Sequence, residues 1–393
     1  MKFLNRFNIL LIFVFIMCMY TLFEFNIDVV FHYIGFKEFK KNLGSLIPFL
    51  RKSSSWKKVC NMETKPQRSI IYVKVQKTGS TTLRSTLLIY GKQYKLNICF
   101  DSTNLWGLNW PNAVEELKLT KVYNEKCDLI ADELIFDPVI VEKLMNKDAF
   151  VMASVRHPVE HFLSLYKYSR IQSAVERLIL KNVDLWESIR IFFKHYQLVR
   201  NIYTTYRENE VRDKYQIDLI QPNLQTRSLG IINGTKAEII DRLDAFHFVV
   251  VADKYDESMV ILREKLCCTI QDVVYRKQNV RRSNEEAKVQ IPPDIEKAIL
   301  EFNYADLIFY NIANNRLREE IEKHTYFEQA LGIFKHELGL YESKCTNDDV
   351  PQTVKDSICP PKEVAQTGIF VENIRAEQQN ILLSKLRDKF NST

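Results

Sequence analysis

Residues 70–82 place a short apolar run next to a polar loop whose side chains suit anion binding. The apolar, β-branched run 70–75 predicts a strand, and the apolar spacing of 82–90 predicts a helix. The loop region supplies a cation, a glycine and hydroxyls, namely Lys77, Thr78, Gly79, Ser80, Thr81 and Thr82. A strand that turns into a helix through such a loop points free N–H groups and the positive helix end at one spot. The segment therefore predicts a site for phosphate or a similar anion.

The loop differs from the Walker A sequence of nucleotide-binding kinases and ATPases. The spacing G-x-x-x-x-G-K-[ST] is absent, because Lys77 precedes Gly79. An ordinary strand–turn–helix with a polar turn stays open as the alternative interpretation of these residues.

A second candidate anion site follows the apolar run 149–155. Arg156 ends that run, Pro158 suits the first position of a helix, and Ser164 lies about two turns further on. A guanidinium fork with a hydroxyl suits a phosphate monoester. The alternative interpretation is a surface arginine in front of a helix.

The same stretch also matches H-x-x-E-H, the inverted zinc-protease motif, through His157, Glu160 and His161. The proline places the segment at a helix start and the sequence offers no evident third ligand. We therefore expect no metal site here.

The remaining elements alternate between strands and helices. Further strands are predicted at 129–133, 149–155 and 246–252, and helices at 137–145, 159–168, 173–215 and 258–266. This order predicts an α/β fold with a central parallel sheet and helices on both faces. Ligands bind beyond the carboxyl ends of such strands, where Lys77, Glu133, Arg156 and Asp253 fall.

The N-terminal segment predicts membrane attachment. Residues 7–23 are nearly all apolar and follow the basic residues Lys2 and Arg6, so we expect a cytoplasmic tail (1–6) and a transmembrane helix. No small-residue cleavage site follows, which favours a signal anchor over a cleaved signal peptide. A basic, polar stem (24–67) then leads to a large lumenal mass.

The remaining composition limits the partners and the compartment. The net charge of +6 permits an anionic ligand. The sequence has no dense basic face interleaved with aromatic residues, so it does not indicate nucleic-acid binding. Asn233 and Asn391 each begin an Asn-x-Thr/Ser acceptor for glycosylation.

The cysteines favour an oxidising compartment. Among the eight cysteines, only Cys18 lies in the apolar segment, so a lumenal chain could form disulfides. Cys345 and Cys359 are a plausible local pair, whereas the adjacent Cys267 and Cys268 should bond elsewhere or be buried. The sequence contains no C-x-x-C pair, so we do not expect a zinc ribbon.

Two anion sites at two strand ends would hold a nucleotide with two separated phosphates, the shape of 3′-phosphoadenylyl sulfate. The segment 77–82 resembles the 5′-phosphosulfate loop of Golgi carbohydrate sulfotransferases, and Arg156-x-Pro with Ser164 resembles their 3′-phosphate element. The segments 248–281 and 302–310 are similar to the galactose-3-O-sulfotransferase family, which includes galactosylceramide sulfotransferase. The resemblance covers about 68–325.

The resemblance implies a P-loop-like sulfotransferase domain at 68–325, extended by 326–393, in the Golgi lumen of a single-pass type II membrane protein. It implies sulfuryl transfer from 3′-phosphoadenylyl sulfate to a sugar hydroxyl, most simply the 3-hydroxyl of galactose on a glycolipid or glycoprotein, without a metal. Lys77 would stabilise the bridging oxygen, the N–H groups of 79–82 would cradle the 5′-phosphate, and Arg156, Ser164 and the weaker Arg281 would bind the 3′-phosphate. A homodimer is left open.

Departures from the family pattern concern the acceptor. The family's Asn-His element is Asp132-Glu133 here, so Glu133 would replace a histidine as the catalytic base. Gln76-Lys-Thr-Gly79 is closer to heparan sulfate 6-O-sulfotransferases, which leaves a glycosaminoglycan (uronyl or hexosamine) O-sulfotransferase as an alternative. A P-loop-like kinase and an inactive glycan-binding homologue also stay open.

Overall fold

Four parallel strands of the described residues form one sheet, in the order β2-β1-β3-β4. The strands are β1 (Ile70–Val73), β2 (Leu129–Asp132), β3 (Phe150–Val155) and β4 (Phe248–Val251). They are seen in a computed structural model that describes residues 65–100, 126–146, 148–207, 217–231, 234–276 and 290–346. All of these residues belong to one unit, Ser55–Thr393.

The register brings the carboxyl ends of the strands to one edge of the sheet. Ile70 of β1 pairs with Leu129 of β2 and with Phe150 of β3, and Met152 of β3 pairs with Phe248 of β4. Every strand residue is buried. Because successive side chains point to opposite faces, both faces of the sheet are covered. The predicted α/β fold with a central parallel sheet is confirmed.

Helices connect and follow the strands. They are α1 (Ser80–Gln93), α2 (Pro138–Leu144), α3 (Pro158–Tyr168), α4 (Ile171–Ile179), α5 (Leu185–Lys194), α6 (Tyr196–Arg207), α7 (Leu224–Ser228), α8 (Lys236–Leu243), α9 (Tyr255–Lys265), α10 (Pro293–Phe302), α11 (Tyr304–Glu322) and α12 (Phe327–Thr346). The helix starts follow local rules, as at α2, where Asp137 accepts the N–H of Val139 ahead of a first-position proline.

The two largest hydrophobic clusters of the described residues stabilise these elements. The larger cluster contains the sheet and extends to Phe334 and Leu338 of α12. The smaller cluster contains residues of the helices from α3 through α6 and of α10. Within it, the rings of Phe162, Phe192 and Phe302 contact one another. Since α12 packs into the larger cluster, the segment up to about residue 345 continues the core of the domain.

A disulfide joins Cys99, which follows α1, to Cys127, which precedes β2. The sequence did not single out this pair, because 28 residues separate the two cysteines. Cys267 and Cys345 each take part in a disulfide. Cys268 has a free thiol and is half-buried. The pairing of Cys345 with Cys359 stays a prediction, since Cys359 lies outside the described residues.

Several predictions fall on parts of the chain that the structure does not describe. These are the transmembrane helix at 7–23, most of the stem, Arg281, and the acceptors Asn233 and Asn391. Within the described ranges, no helix is long and apolar enough to cross a membrane.

Candidate active site

The loop between β1 and α1 has the geometry of an anion cradle. Gly79 sits immediately before α1 in the left-handed region, with φ of 74°. Its carbonyl accepts the N–H groups of Thr82 and Leu83 at 3.1 and 3.4 Å. A Cβ on Gly79 would lie 3.3 Å from the ring of Tyr255. Glycine is therefore favoured by both the backbone conformation and the close ring, and the helix start is left open.

Thr78 anchors this loop to the sheet. Its hydroxyl donates to the carbonyl of Val75 at 2.9 Å and lies 2.6 Å from the hydroxyl of Ser154 on β3. Ser154 in turn contacts the Tyr72 hydroxyl at 2.7 Å, and all three side chains are fully buried. The side chain of Thr78 is therefore structural, and only its backbone could meet an anion.

The other predicted loop residues differ in exposure. Ser80 and Thr82 are buried, Lys77 and Thr81 are half-buried, and Gly79 is exposed. Among their backbone groups, the N–H of Thr82 already donates to the Gly79 carbonyl.

Lys77 is held in a strained conformation beside α3. Its φ is 62°, which costs a residue with a Cβ about 1 kcal/mol. Its Nζ lies 4.2 Å from the ring centroid of Tyr168, the last residue of α3. The loop conformation thus sends the lysine side chain toward the face of α3.

Arg156 approaches the same helix from the end of β3. Its Nη2 lies 3.2 Å from Oε2 of Glu160, and its side chain is 29% exposed. Glu160, Ser164 and Tyr168 are spaced by four residues and share one face of α3. Ser164, which is half-buried, therefore lies between the residue that contacts Arg156 and the residue that contacts Lys77.

The pKa of the buried His161 is affected by both cations. Burial lowers its pKa to about 4, a hydrogen bond to the carbonyl of Gln76 opposes this, and the charges of Arg156 and Lys77 lower it further. Its Nε2 lies 2.9 Å from that carbonyl. His161 is thus a neutral donor that fixes the loop to α3. Arg156 and Lys77 contact Glu160 and Tyr168, which lie about two turns apart on the same helix.

The zinc-motif residues have other partners. His161 bonds to Gln76, Glu160 pairs with Arg156, and the ring of His157 packs edge-on against Tyr310 at 5.1 Å. Within the described ranges, no three His, Cys, Asp or Glu side chains are grouped as metal ligands.

We expect His161 to make stability fall in mild acid. Its pKa is about 4 in the fold against 6.5 ordinarily. Below pH 6.5 the unfolded chain binds a proton that the folded chain does not, so the free energy of unfolding decreases as the pH falls toward 4. At pH 5 the loss from this group is about 2 kcal/mol. Urea unfolding at pH 7 and pH 5 should show a smaller loss in His161→Gln. An identical loss in both proteins would contradict the assignment.

Glu133 lies at the end of β2 in a polar cluster. It forms an ion pair with Lys74 and accepts a hydrogen bond from Nε2 of Gln76 at 2.9 Å. Its side chain is 21% exposed. Beside it, Asp132 pairs with the buried Arg84 at 3.2 Å, and burial raises the pKa of Asp132 despite that partner. Glu133 therefore has an accessible, paired carboxylate next to the anion loop.

The end of β4 completes this edge of the sheet. Asp253 accepts the backbone N–H of His157 at 3.2 Å, at the start of α3. Lys77, Glu133, Arg156 and Asp253 thus all follow the carboxyl ends of their strands, as predicted.

Comparison with known proteins decides the family. A sequence model described as galactose-3-O-sulfotransferase matches residues 6–329. The chain belongs to the galactose-3-O-sulfotransferase family. It is 24% identical over 323 residues to galactose-3-O-sulfotransferase 2 of Mus musculus, covering 79% of this chain and 78% of the relative.

Two further relatives match over shorter stretches. Galactose-3-O-sulfotransferase 2 of Homo sapiens is 26% identical over 241 residues, 60% of this chain and 57% of the relative. Galactosylceramide sulfotransferase of Mus musculus is 23% identical over 259 residues, 65% of this chain and 58% of the relative. The predicted resemblance and the predicted enzyme class, a carbohydrate sulfotransferase, are confirmed. The roles of individual residues stay predictions.

Proposed function

We propose that the protein transfers a sulfuryl group from 3′-phosphoadenylyl sulfate to the 3-hydroxyl of galactose on a glycolipid or glycoprotein glycan. The observation that carries the proposal is the convergence of Lys77 and Arg156. They approach one face of α3 from the ends of neighbouring strands, beside the open start of α1. We propose that this arrangement offers two anion sites to one nucleotide.

The residues at the two sites fit the donor. The start of α1 offers backbone N–H groups to the 5′-phosphosulfate, and the exchangeable pair of Arg156 with the half-exposed Glu160 leaves the guanidinium available to a 3′-phosphate. Ser164 would add a hydroxyl, and Arg281 would add a third contact. We propose that binding uses no metal.

The transfer is a displacement in line with the leaving group. The acceptor oxygen forms a bond to sulfur while the bond from sulfur to the bridging phosphate oxygen breaks, and the acceptor proton leaves with a base. Lys77 would stabilise the negative charge on the bridging oxygen, and Glu133 would take the proton. Positioning and charge stabilisation account for the rate, as in phosphoryl transfer.

We further propose a P-loop-like domain with helices on both faces of the sheet, anchored in the Golgi membrane by residues 7–23 with the domain in the lumen. The Cys99–Cys127 disulfide supports an oxidising compartment. In sealed microsomes, protease should leave the bulk of the chain intact, and an endoglycosidase should remove a glycan from Asn233. Secretion of a trimmed form would contradict the anchor.

Nucleotide binding tests the proposal against a kinase and against an inactive homologue. We expect adenosine 3′,5′-bisphosphate to raise the melting temperature of the full-length protein in detergent, because a ligand that binds only the folded state stabilises it. ATP with Mg²⁺ should raise it less. A larger rise with ATP would favour the kinase, and no rise with either nucleotide would contradict the donor site.

A further inference from the structure

The backbone of Arg156 is clamped by a distant side chain. Oε1 of Gln225 accepts the N–H of Arg156 at 2.8 Å, and Nε2 of Gln225 donates to the carbonyl of Arg156 at 3.0 Å. The pairing of β3 with β4 ends at Val155, one residue before these two hydrogen bonds. Both backbone groups of Arg156 are thereby fixed at the point where the chain leaves the sheet.

Gln225 is itself held by a buried carboxylate. Asp306 of α11 accepts the N–H groups of Gln225 and Thr226 at 3.1 and 2.8 Å and the Thr226 hydroxyl at 3.0 Å. Gln225 and Asp306 are fully buried, and Thr226 is nearly so. Donors from the first turn of α7 thus meet one acceptor in the core.

The connection between α7 and α11 is reciprocal. Oδ1 of Asn223, the residue before α7, accepts the N–H of Ala305 at 2.9 Å in the first turn of α11. Oδ1 of Asn303, the residue before α11, accepts the N–H of Asn223 at 3.1 Å. Each helix start is capped by the other segment, so Gln225 has little freedom to move.

A guanidinium on a long side chain binds phosphate well only when its base is fixed, because freezing a mobile side chain costs binding free energy. We propose that Gln225, braced by Asp306, is a positioning residue that aims Arg156 at the 3′-phosphate of the nucleotide. This inference rests on the proposed function. It predicts that Gln225 determines preference for a nucleotide with a 3′-phosphate.

The test compares two nucleotides in the full-length protein. Gln225→Met keeps the length of the side chain and removes both hydrogen bonds to Arg156. We expect this variant to bind adenosine 3′,5′-bisphosphate about tenfold more weakly. Its affinity for adenosine 5′-phosphate should be unchanged. Both affinities are measured by calorimetry. Gln172→Met is the matched control, because Gln172 makes its two hydrogen bonds to Glu176 and Val183. That variant should bind both nucleotides as wild type does.

A double-mutant cycle separates positioning from general packing. In an Arg156→Ala background, Gln225→Met should cause no further loss of bisphosphate affinity, because the two residues act through one contact. Equal losses for both nucleotides, additive losses in the cycle, or no loss in Gln225→Met would each overturn the inference. If Gln225→Met does not fold, Gln225→Leu removes the same two hydrogen bonds with a neutral side chain and should show the same loss, confined to the bisphosphate.

Failure of the proposed function gives a different result. Wild-type protein that binds both nucleotides equally, or an Arg156→Ala variant with wild-type bisphosphate affinity, would reject the donor site and this inference together. A wild-type preference that depends on Arg156 but not on Gln225 would reject the inference alone.

Discussion

Replacing Lys77 with alanine should reduce sulfate transfer about a thousandfold while the full-length protein keeps its melting temperature. The expected loss is that of one charge aimed at a leaving group in a partly desolvated site. Stability should be kept because the half-buried Lys77 side chain contacts the exposed ring of Tyr168 rather than the core. The measurement is transfer of labelled sulfate at saturating donor, with melting followed in parallel.

Lys143 offers the matched control. It is exposed, and it lies near the opposite end of the sheet, two residues before Met145, which pairs with Cys127 ahead of β2. Lys143→Ala removes the same charge away from the loop and should transfer sulfate normally. Wild-type turnover in Lys77→Ala would exclude Lys77 from catalysis.

Glu133→Gln should lower turnover a hundredfold or more, about the contribution of a general base, and should leave binding of the bisphosphate nucleotide intact. The neutral amide keeps the shape of the side chain but cannot take the acceptor proton.

The contacts of Glu133 supply the competing explanation and its test. Glu133 pairs with Lys74 and with Gln76, so it could act only by ordering the loop. Lys74→Met breaks the same ion pair and keeps the carboxylate. If Glu133 is the base, Lys74→Met should retain most of the turnover. Equal losses in the two variants would show a structural role and direct attention to the histidines.

The strand–loop–helix and the parallel character of the sheet could be predicted because both follow from local pattern and from the alternation of strands with helices, whereas the strand order β2-β1-β3-β4 was not predicted. The apolar runs before Lys77 and Arg156 are typical of buried strands, and the glycine and proline mark the turns that follow. Parallel strands then bring their carboxyl ends together without any further information. The sequence was therefore sufficient to place the two cations at one edge of the sheet.

The contacts that orient these residues could not be predicted. The partner of the Thr78 hydroxyl is Ser154, that of His161 is the carbonyl of Gln76, and that of Gln225 is the backbone of Arg156. Each contact joins residues that are far apart in the chain and depends on how the elements pack. Local periodicity carries no signal for such pairs, as the unpredicted Cys99–Cys127 disulfide also illustrates.

Sulfate transfer to galactose tests the central claim most directly. Full-length protein in detergent would be incubated with labelled 3′-phosphoadenylyl sulfate and either a terminal β-galactoside or its 3-deoxy analogue. We predict label on the galactoside and none on the analogue, since the attacking oxygen is the 3-hydroxyl. Label on the 3-deoxy sugar would contradict the position of transfer, and no label on either sugar would contradict transfer to galactose.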